Sequence, residues 1–369
     1  MTHQDVLKKP SENKNHATLG FGCMRLPSSV KEVTQMTDAF LDAGFNYFDT
    51  AYLYTGSEEM LKKTLVTRHH RDSYMIATKI PPWIVNNHKD HDKVFKTSLK
   101  RLGTDYVDFL LVHALDCDTE PAAVNSDLYG WAAEQKKKGY VKHVGFSFHD
   151  TAYWLEKVLV DHPEMEFVLL QLNYMDILRG QGKSFYDLAI KYDKPLLVME
   201  AMRGGALAKL PPAAEALMKN YNPDASIASW ANRYAASLAG ATTLLSGMSS
   251  LEQMHDNIKT FSPLVPINNE EMAIIETVVS EIGKVSTIPC TGCGYCLADC
   301  PEQIEIVSCF SYYNEVKRGT NQMNLKMQYD TIPDDRRAND CTSCGACVPR
   351  CPQHIDIPKE LKKAAKMFA

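Results

Sequence analysis

The chain has 369 residues, 45% of them apolar and 23% charged, and its formal net charge is −5. This length predicts two or three domains with a sizeable core, since a domain averages about 150 residues. The mild, evenly spread charge argues against a nucleic-acid partner or an anionic membrane surface. No apolar run approaches the roughly 18 residues of a spanning helix. The polar segment Met1–His16 lacks the apolar core of a secretory signal.

Short apolar runs alternate with amphipathic helical patterns along most of the chain. In the first such helix, Val33, Met36 and Phe40 share one face before Gly44 ends the pattern. Eight runs have strand character: Leu19–Met24, Asn46–Asp49, Tyr74–Lys79, Val107–His113, His143–Ser147, Phe167–Leu172, Pro195–Met199 and Thr242–Ser246. This alternation over about 250 residues predicts an α/β fold, a (β/α)8 TIM barrel. A doubly wound sheet is the alternative, but no G-x-G-x-x-G motif follows any strand.

Nine of the eleven cysteines lie between Cys290 and Cys351. Eight of them form two runs of the pattern C-x2-C-x2-C-x3-C-P, which is typical of bacterial ferredoxins with two [4Fe–4S] clusters. In this pattern the fourth cysteine of each run binds the other cluster. The sequence therefore predicts two crossed ligand sets. One is Cys290, Cys293, Cys296 and Cys351, and the other is Cys300, Cys341, Cys344 and Cys347.

Disulfides and zinc are the alternatives for these cysteines. Disulfides need an oxidising compartment, and zinc sites usually pair two C-x2-C motifs around one ion. Clusters are favoured over both, which predicts a reducing cytoplasm and an anaerobic organism. The ninth cysteine, Cys309, lies in a predicted helix over Ile304–Lys317, where we expect it to be packed. We place the boundary near Gly283, with the barrel over 1–283 and a small helical and loop-rich ferredoxin-type domain over 284–369.

Polar residues end several predicted strands, at the edge where barrel enzymes carry their active sites. These residues are Asp49, Lys79, His113, Ser147 and Gln171, and Tyr54 follows Asp49 by five positions. Each one alone is explained by an ordinary structural role, such as a helix cap or a packed core histidine. Together they indicate a catalytic constellation.

Four of these residues suit the reduction of a carbonyl group. Hydride addition leaves an alkoxide, which needs a proton donor and a positive field nearby. Tyr54 is the expected donor, because a buried Lys79 ammonium would make a phenol with an ordinary pKa of about 10 more acidic. Asp49 would hold Lys79 protonated and in place. A neutral His113 would donate a hydrogen bond to the carbonyl oxygen.

The motifs L-G-F-G-C-M-R-L-P, F-D-T-A-Y-L-Y-T-G-S-E-E, A-T-K-I, L-L-V-H and G-F-S carry a family resemblance. The sequence resembles the aldo/keto reductase superfamily, and with its tail the branch that carries a two-cluster ferredoxin domain. The resemblance covers essentially the whole chain. It implies that Asp49, Tyr54, Lys79 and His113 form a catalytic tetrad, and that NADPH or NADH lies across the barrel mouth.

The resemblance also implies a set of cofactor contacts. Ser147 and Gln171 would bind the nicotinamide carboxamide, and Arg203, Gly204 and Gly205 would lie near the pyrophosphate. The remaining expected contacts are Met24, Ser246, Gly247, Ser249, Gln253, Asp256 and Asn257. Gly247 and Gln253 stand where many relatives place Lys and Arg against a 2′-phosphate, which leaves NADH open. Phe148 and Met199-Glu200 also depart from the family pattern, replacing an asparagine and an aromatic residue that stacks on the nicotinamide.

How the two halves work together remains open at this stage. A nicotinamide transfers two electrons as hydride, whereas each cluster transfers one. The barrel could reduce a small carbonyl compound or oxidise its alcohol while the clusters are structural or bind a partner. Alternatively, a ferredoxin or a flavin, for which the sequence has no signature, could link the clusters to the barrel. The third interpretation is a ferredoxin-like carrier on a degenerate barrel, and the intact tetrad argues against it.

The expected substrate pocket has an apolar wall. Tyr52 and Trp83 follow the second and third strands and are candidates for substrate contacts, with Met24 beside them. Ordinary loop packing explains these aromatic residues equally well. An apolar mouth favours an aromatic, aliphatic or polycyclic carbonyl over a free sugar.

Overall fold

The computed structural model describes all 369 residues. Internal contacts divide the chain into two compact units, one of Met1–Ala201 with Ser229–Asn268 and one of Met202–Ala228 with Asn269–Ala369. The chain boundary near Gly283 stays a prediction. None of the helices combines the length and apolar character needed to cross a membrane.

Eight parallel strands close into a barrel in which sequence neighbours pair and the last strand pairs with the first. The strands are β1 (Thr18–Gly22), β2 (Tyr47–Asp49), β3 (Met75–Ile80), β4 (Val107–Leu115), β5 (Val141–Phe148), β6 (Phe167–Gln171), β7 (Leu196–Met199) and β8 (Ala241–Ser246). All eight predicted strands are confirmed, with ends shifted by at most two residues. The predicted TIM barrel is therefore present.

Helices separate the strands in sequence, and further helices precede β1 and follow β8. They are α1 (His3–Val6), α2 (Val30–Asp42), α3 (Ser57–Leu61), α4 (His88–Leu102), α5 (Thr119–Asn125), α6 (Leu128–Lys137), α7 (Ala152–Asp161), α8 (Tyr174–Arg179), α9 (Gly182–Lys191), α10 (Pro212–Tyr221), α11 (Ile227–Ala236), α12 (Leu251–Phe261), α13 (Asn269–Gly283), α14 (Ile306–Lys317), α15 (Gln322–Tyr329) and α16 (Ile357–Phe368). In α2, Ser29 caps the first turn and Phe40 is fully buried on the predicted apolar face. Burying such a side chain stabilises the fold by about 1.5–3 kcal/mol.

Alternate residues of the strands fill the inside of the barrel and then form its site. The strand residues of this interior core are Tyr47, Met75, Ala77, Phe109, Leu111, Phe167, Leu169, Leu197 and Leu245. Successive side chains of a strand point to opposite faces, so residues two apart share a face. Asp49, Lys79 and His113 each lie two positions beyond an interior residue of the same strand. The strand geometry therefore points these three polar side chains into the mouth of the barrel.

The N-terminal segment packs into the barrel interior. Val6 is fully buried among the interior residues, and His3 Nε2 lies 2.9 Å from the buried carboxylate of Asp108. The Arg71 guanidinium donates to the same carboxylate at 2.6 Å. The sequence identified Met1–His16 only as polar and did not indicate this role.

The second unit has its own apolar core between α14, α15 and α16. Cys309 is fully buried in it, as expected from its predicted helix. The rings of Tyr329 and Phe368 stack with centroids 4.4 Å apart. The Asn314 side chain accepts from the Ile288 N–H at 2.7 Å and donates to the Ile288 carbonyl at 2.8 Å. These bonds fix the segment that leads into the first cysteine run.

Candidate active site and cysteine clusters

The four predicted tetrad residues meet at the carboxyl ends of β2, β3 and β4. Asp49 is the last residue of β2, Lys79 and His113 lie near the ends of β3 and β4, and Tyr54 lies in the loop before α3. The Lys79 ammonium lies 3.5 Å from the Tyr54 hydroxyl and 4.8 Å from the centre of its ring. The rings of Tyr54 and His113 meet edge to face with centroids 5.9 Å apart.

Lys79 and Asp49 form a buried ion pair. The Lys79 ammonium donates to Asp49 Oδ2 at 2.5 Å and to the Thr50 carbonyl at 2.8 Å. Lys79 is 1% exposed and Asp49 is 4% exposed. Burial raises the pKa of Asp49, and the neighbouring Lys79 ammonium opposes that rise. Removing one partner of such a pair typically costs about 3–5 kcal/mol, because it leaves the other charge buried alone.

His113 is placed to act as a neutral hydrogen-bonding group. It is 3% exposed, and its ring lies 6.0 Å from that of Trp83. Burial, followed by the positive charge of Lys79, holds the pKa of His113 well below its usual range. The imidazole is therefore uncharged at neutral pH.

A half-buried arginine paired with a buried glutamate holds the loop that carries Tyr54. Arg101 on α4 donates to the Tyr52 carbonyl at 3.0 Å, and its guanidinium lies 4.6 Å from the centre of the Tyr52 ring. Glu58, which is 1% exposed, accepts from Thr78 at 2.8 Å and from Arg101 at 3.4 Å. Sequence reasoning missed Glu58 and Arg101, and the S-E-E sequence at the start of α3 was the only local signal.

The predicted nicotinamide contacts already have partners in the protein. Ser147, on β5 and 1% exposed, accepts a hydrogen bond from the Ala114 N–H at 2.8 Å. The Gln171 amide donates to Asp176 at 2.7 Å. Tyr52, Trp83 and Met24, which were expected around the pocket, are all half-buried. Trp83 lies beside His113, and Tyr52 belongs to the loop that carries Tyr54.

The predicted adenosine contacts of the first unit gather around the end of β8 and the start of α12. Asn257 donates to Ser246 at 2.9 Å and accepts from Asn232 at 2.7 Å, all three side chains being buried. The Ser249 N–H donates to the Gln253 side chain at 2.8 Å. Gly247 and Asp256 belong to the same β8–α12 segment. Asn232, which joins this network from α11, was not predicted from the sequence.

Arg203, Gly204 and Gly205 belong to the second unit rather than to the first. Gly204 has a φ of +66°, and a Cβ there would lie 2.2 Å from the Thr291 carbonyl oxygen. Only glycine allows this approach of the two backbones. The loop therefore packs against the first cysteine run.

The cysteines gather into the two crossed sets. Cys290, Cys293, Cys296 and Cys351 line one recess, and Cys300, Cys341, Cys344 and Cys347 line another, each partly open to solvent. No three His, Cys, Asp or Glu side chains converge in a way that would hold a single metal ion. A [4Fe–4S] cube is several atoms wide, so its four thiolates stand further apart than the ligands of one ion. Four cysteines line each recess, which is the ligand type and number of a [4Fe–4S] cluster.

Each recess also offers backbone donors to sulfur. The Gly292 N–H donates to Cys290 Sγ and the Ile304 N–H donates to Cys300 Sγ, both at 3.4 Å. Hydrogen bonds to cluster sulfurs are one of the ways in which a protein sets a cluster potential.

Comparison with known proteins identifies the family. The sequence model of the aldo/keto reductase family matches residues 18–280, and that of the 4Fe-4S dicluster domain matches residues 289–355. The chain belongs to the aldo/keto reductase family, an oxidoreductase family, and carries a C-terminal 4Fe-4S dicluster domain.

Individual relatives match over part of their length. An aldo-keto reductase of Strobilurus tenacellus is 34% identical over 170 residues, which cover 42% of this chain and 48% of the relative. A norsolorinic acid reductase of Emericella nidulans is 33% identical over 135 residues, covering 32% of this chain and 33% of the relative. The chain thus spans about half and about a third of these two proteins.

A solved structure supports the fold. The holo form of an aldo-keto reductase from Bacillus halodurans aligns with a TM-score of 0.60 and 22% identity. The alignment covers 71% of this chain and 92% of that one. At this identity the likeness concerns the barrel fold alone.

The close approach at Gly204 leads to a stability prediction. We expect Gly204→Ala to destabilise the second unit by about 1–3 kcal/mol more than Gly205→Ala, because only the former places a Cβ against the Thr291 carbonyl. Gly205 has a φ of +94° but open space around its Cβ position, so it is the matched control for backbone strain. Anaerobic urea unfolding followed by circular dichroism measures the difference. Equal losses in the two variants would show that the contact contributes nothing.

Proposed function

We propose that this protein reduces a small carbonyl compound, or oxidises the corresponding alcohol, with NADH or NADPH. The observation that carries the proposal is the buried Lys79–Asp49 pair with the Lys79 ammonium 3.5 Å from the Tyr54 hydroxyl. A nicotinamide, when bound, supplies the hydride. The protein has to supply the proton and stabilise the developing alkoxide.

Each tetrad residue has a distinct role in this proposal. Tyr54 donates the proton to the carbonyl oxygen, because the adjacent ammonium stabilises the phenolate that remains. Asp49 keeps Lys79 charged and fixes its position through the 2.5 Å bond. Neutral His113 donates a hydrogen bond to the substrate oxygen and orients the carbonyl group. Trp83 and Tyr52 form an apolar wall, which suits an aromatic, aliphatic or polycyclic substrate.

The first unit offers a polar cradle for the cofactor. We assign Ser147 and Gln171 to the nicotinamide end, and Ser246, Asn257 and neighbouring residues of the β8–α12 segment to the adenosine end. The exposed backbone at Gly247, where a Cβ would meet only the Gly22 carbonyl oxygen at 3.8 Å, is accessible to a ligand and is consistent with this assignment. Gln253 and Gly247 carry no charge for a 2′-phosphate, while Lys259 in the last turn of α12 offers one. NADH and NADPH therefore both remain candidates.

We further propose that the eight cysteines hold two [4Fe–4S] clusters that exchange single electrons with a ferredoxin or another carrier. The match of residues 289–355 to the dicluster domain and the two crossed recesses support this role. The chain has no flavin signature. The one argument for a flavin between the clusters and the barrel is that it would connect one-electron with two-electron transfer.

The tetrad assignment predicts the effect of removing one hydroxyl. We expect Tyr54→Phe to lower the kcat for reduction of aromatic and aliphatic aldehydes, beginning with 4-nitrobenzaldehyde, by about 10²–10⁴-fold. Nicotinamide binding, measured by quenching of protein fluorescence, should be unchanged because the phenol acts only on the substrate. Tyr74→Phe is the matched control, since its buried hydroxyl has no hydrogen-bond partner. Near-normal turnover of Tyr54→Phe would refute the proposed proton donor.

The cluster assignment predicts composition and colour. Protein purified without oxygen should contain about eight iron atoms per chain. It should absorb broadly at about 400 nm, and dithionite should bleach that absorbance. Cys351→Ser should lose iron because it removes a ligand, whereas Cys309→Ser should keep it because Cys309 lies in the apolar core. A colourless preparation loaded with zinc would be incompatible with the assignment.

A further inference from the structure

The two cysteine runs end in the same local structure. Residues 300–306 and 351–357 share the sequence pattern C-P-x-x-I-x-I. Within it, Gln303 and His354 both have left-handed backbone, with φ of +51° and +49°, and α14 and α16 each begin three residues later. Each position of one segment therefore has a counterpart in the other, and a residue that differs between them distinguishes the two recesses.

The side chains around the recesses differ in charge. We call the recess of Cys290, Cys293, Cys296 and Cys351 the first recess, and that of Cys300, Cys341, Cys344 and Cys347 the second recess. Apart from cysteines, Arg350 is the only charged residue that lines the first recess, and Glu302 is the only one that lines the second. At the position that matches Glu302, the first recess carries the uncharged Gln353.

An ion pair between the two runs has the same polarity. Arg350 directly precedes Cys351, and at the matched position Asp299 directly precedes Cys300. The Arg350 Nε donates to Asp299 Oδ2 at 2.6 Å. Their side chains are 40% and 39% exposed, so solvent screens part of both charges. The positive end of the pair lines the first recess, and its negative end lies next to a cysteine of the second.

A charge beside a cluster changes the reduction potential of that cluster, because reduction adds a negative charge. A nearby cation stabilises the reduced form and raises the potential, and a nearby anion lowers it. Hydrogen bonding does not separate the recesses clearly, since a backbone N–H donates to a cysteine sulfur at 3.4 Å in each.

Solvent at one ligand works against the charges. Cys344 of the second recess is exposed, whereas its counterpart Cys293 is partly covered. Water at Cys344 stabilises the more negative, reduced cluster and so raises its potential. This effect concerns one ligand of four, whereas the linings differ by two unit charges, from +1 with Arg350 to −1 with Glu302. We therefore expect the charges to decide the order of the potentials.

We propose that the first recess holds the cluster of higher potential and the second recess the cluster of lower potential, and that Arg350 and Glu302 set this order. The first electron that reaches the unit then resides in the first recess. When the cluster of the second recess is reduced and that of the first is oxidised, one electron leaves the former and enters the latter, and no bond or proton changes place. The inference rests on the proposed binding of both clusters.

The test is an anaerobic redox titration of the whole chain, followed by electron paramagnetic resonance, which gives two one-electron potentials. Arg350→Gln removes the cation from the first recess, and Glu302→Gln removes the anion from the second. Each change should narrow the gap between the two potentials by at least about threefold in equilibrium constant, which is about 28 mV for a one-electron couple. Gln353→Glu places the anion in the first recess instead and should narrow the gap as well.

Two kinds of control accompany these variants. Lys366→Gln and Asp224→Asn each remove an exposed charge that lines neither recess, and they should leave the gap unchanged. Arg350→Lys keeps the positive charge and should keep the gap, which separates loss of charge from loss of the guanidinium shape. Iron analysis shows which variants retain both clusters, and the gap is compared only among these.

The sign of the change identifies which recess has the higher potential. If the order were reversed, Arg350→Gln would lower the lower potential and widen the gap, and Glu302→Gln would raise the higher one and widen it too. A wider gap, an unchanged gap in both variants, or two equal potentials in the parent protein would overturn the proposal. Absence of iron from the parent protein would instead contradict the cluster proposal on which it rests.

Discussion

A buried ammonium and a buried carboxylate meet at the carboxyl ends of β2 and β3, and the geometry of the whole barrel mouth depends on them. Neither Lys79 nor Asp49 has appreciable contact with solvent, so each charge is tolerable only beside the other. The pairing of β2 with β3 brings them together, and the Thr50 carbonyl takes a second ammonium proton. The Tyr54 hydroxyl lies 3.5 Å from the same ammonium. It belongs to a loop in which the Tyr52 carbonyl accepts a hydrogen bond from Arg101. The strand order thus creates the ion pair, and the pair places a positive charge beside the Tyr54 hydroxyl.

The second unit, which carries the 4Fe-4S dicluster domain, is built from segments that lie apart in the sequence. The chain passes between the two units three times, at residues 201–202, 228–229 and 268–269. The segment after β7 therefore belongs with the cysteine runs, although it lies in the middle of the barrel sequence. The backbone at Gly204 lies against Thr291 of the first run, so closely that a Cβ there would meet the Thr291 carbonyl oxygen. The two cysteine runs have the same spacing, but Thr291 of the first run is buried whereas Thr342, at the matching position of the second, is exposed.

Local patterns in the sequence were sufficient for the eight strands, and they also identified the polar strand-end residues and the cysteines that come together in the structure, whose catalytic and ligand roles stay predictions. Buried strands appear as short apolar runs, and the side-chain alternation then decides which polar residues point inward. The features that the sequence did not predict depend on contacts between residues that are far apart in the chain. The helix at His3–Val6 is too short and polar to have a signal, and its anchor Asp108 is about a hundred residues away. Arg101, Asn232 and the grouping of Arg203–Gly205 with the second unit were unpredictable for the same reason.

Whether Asp49 acts through Lys79 is measured most directly by a double-mutant cycle of the two residues on the reduction of 4-nitrobenzaldehyde. The variants are Lys79→Met, Asp49→Asn and their combination, compared by kcat/KM at a temperature where circular dichroism shows all of them folded. If Asp49 acts only through Lys79, the combined variant is no slower than Lys79→Met alone, because the charge that Asp49 positions is already gone. Losses that multiply, so that the double variant is slower by the product of the two single effects, would show that the residues act independently and would contradict the account.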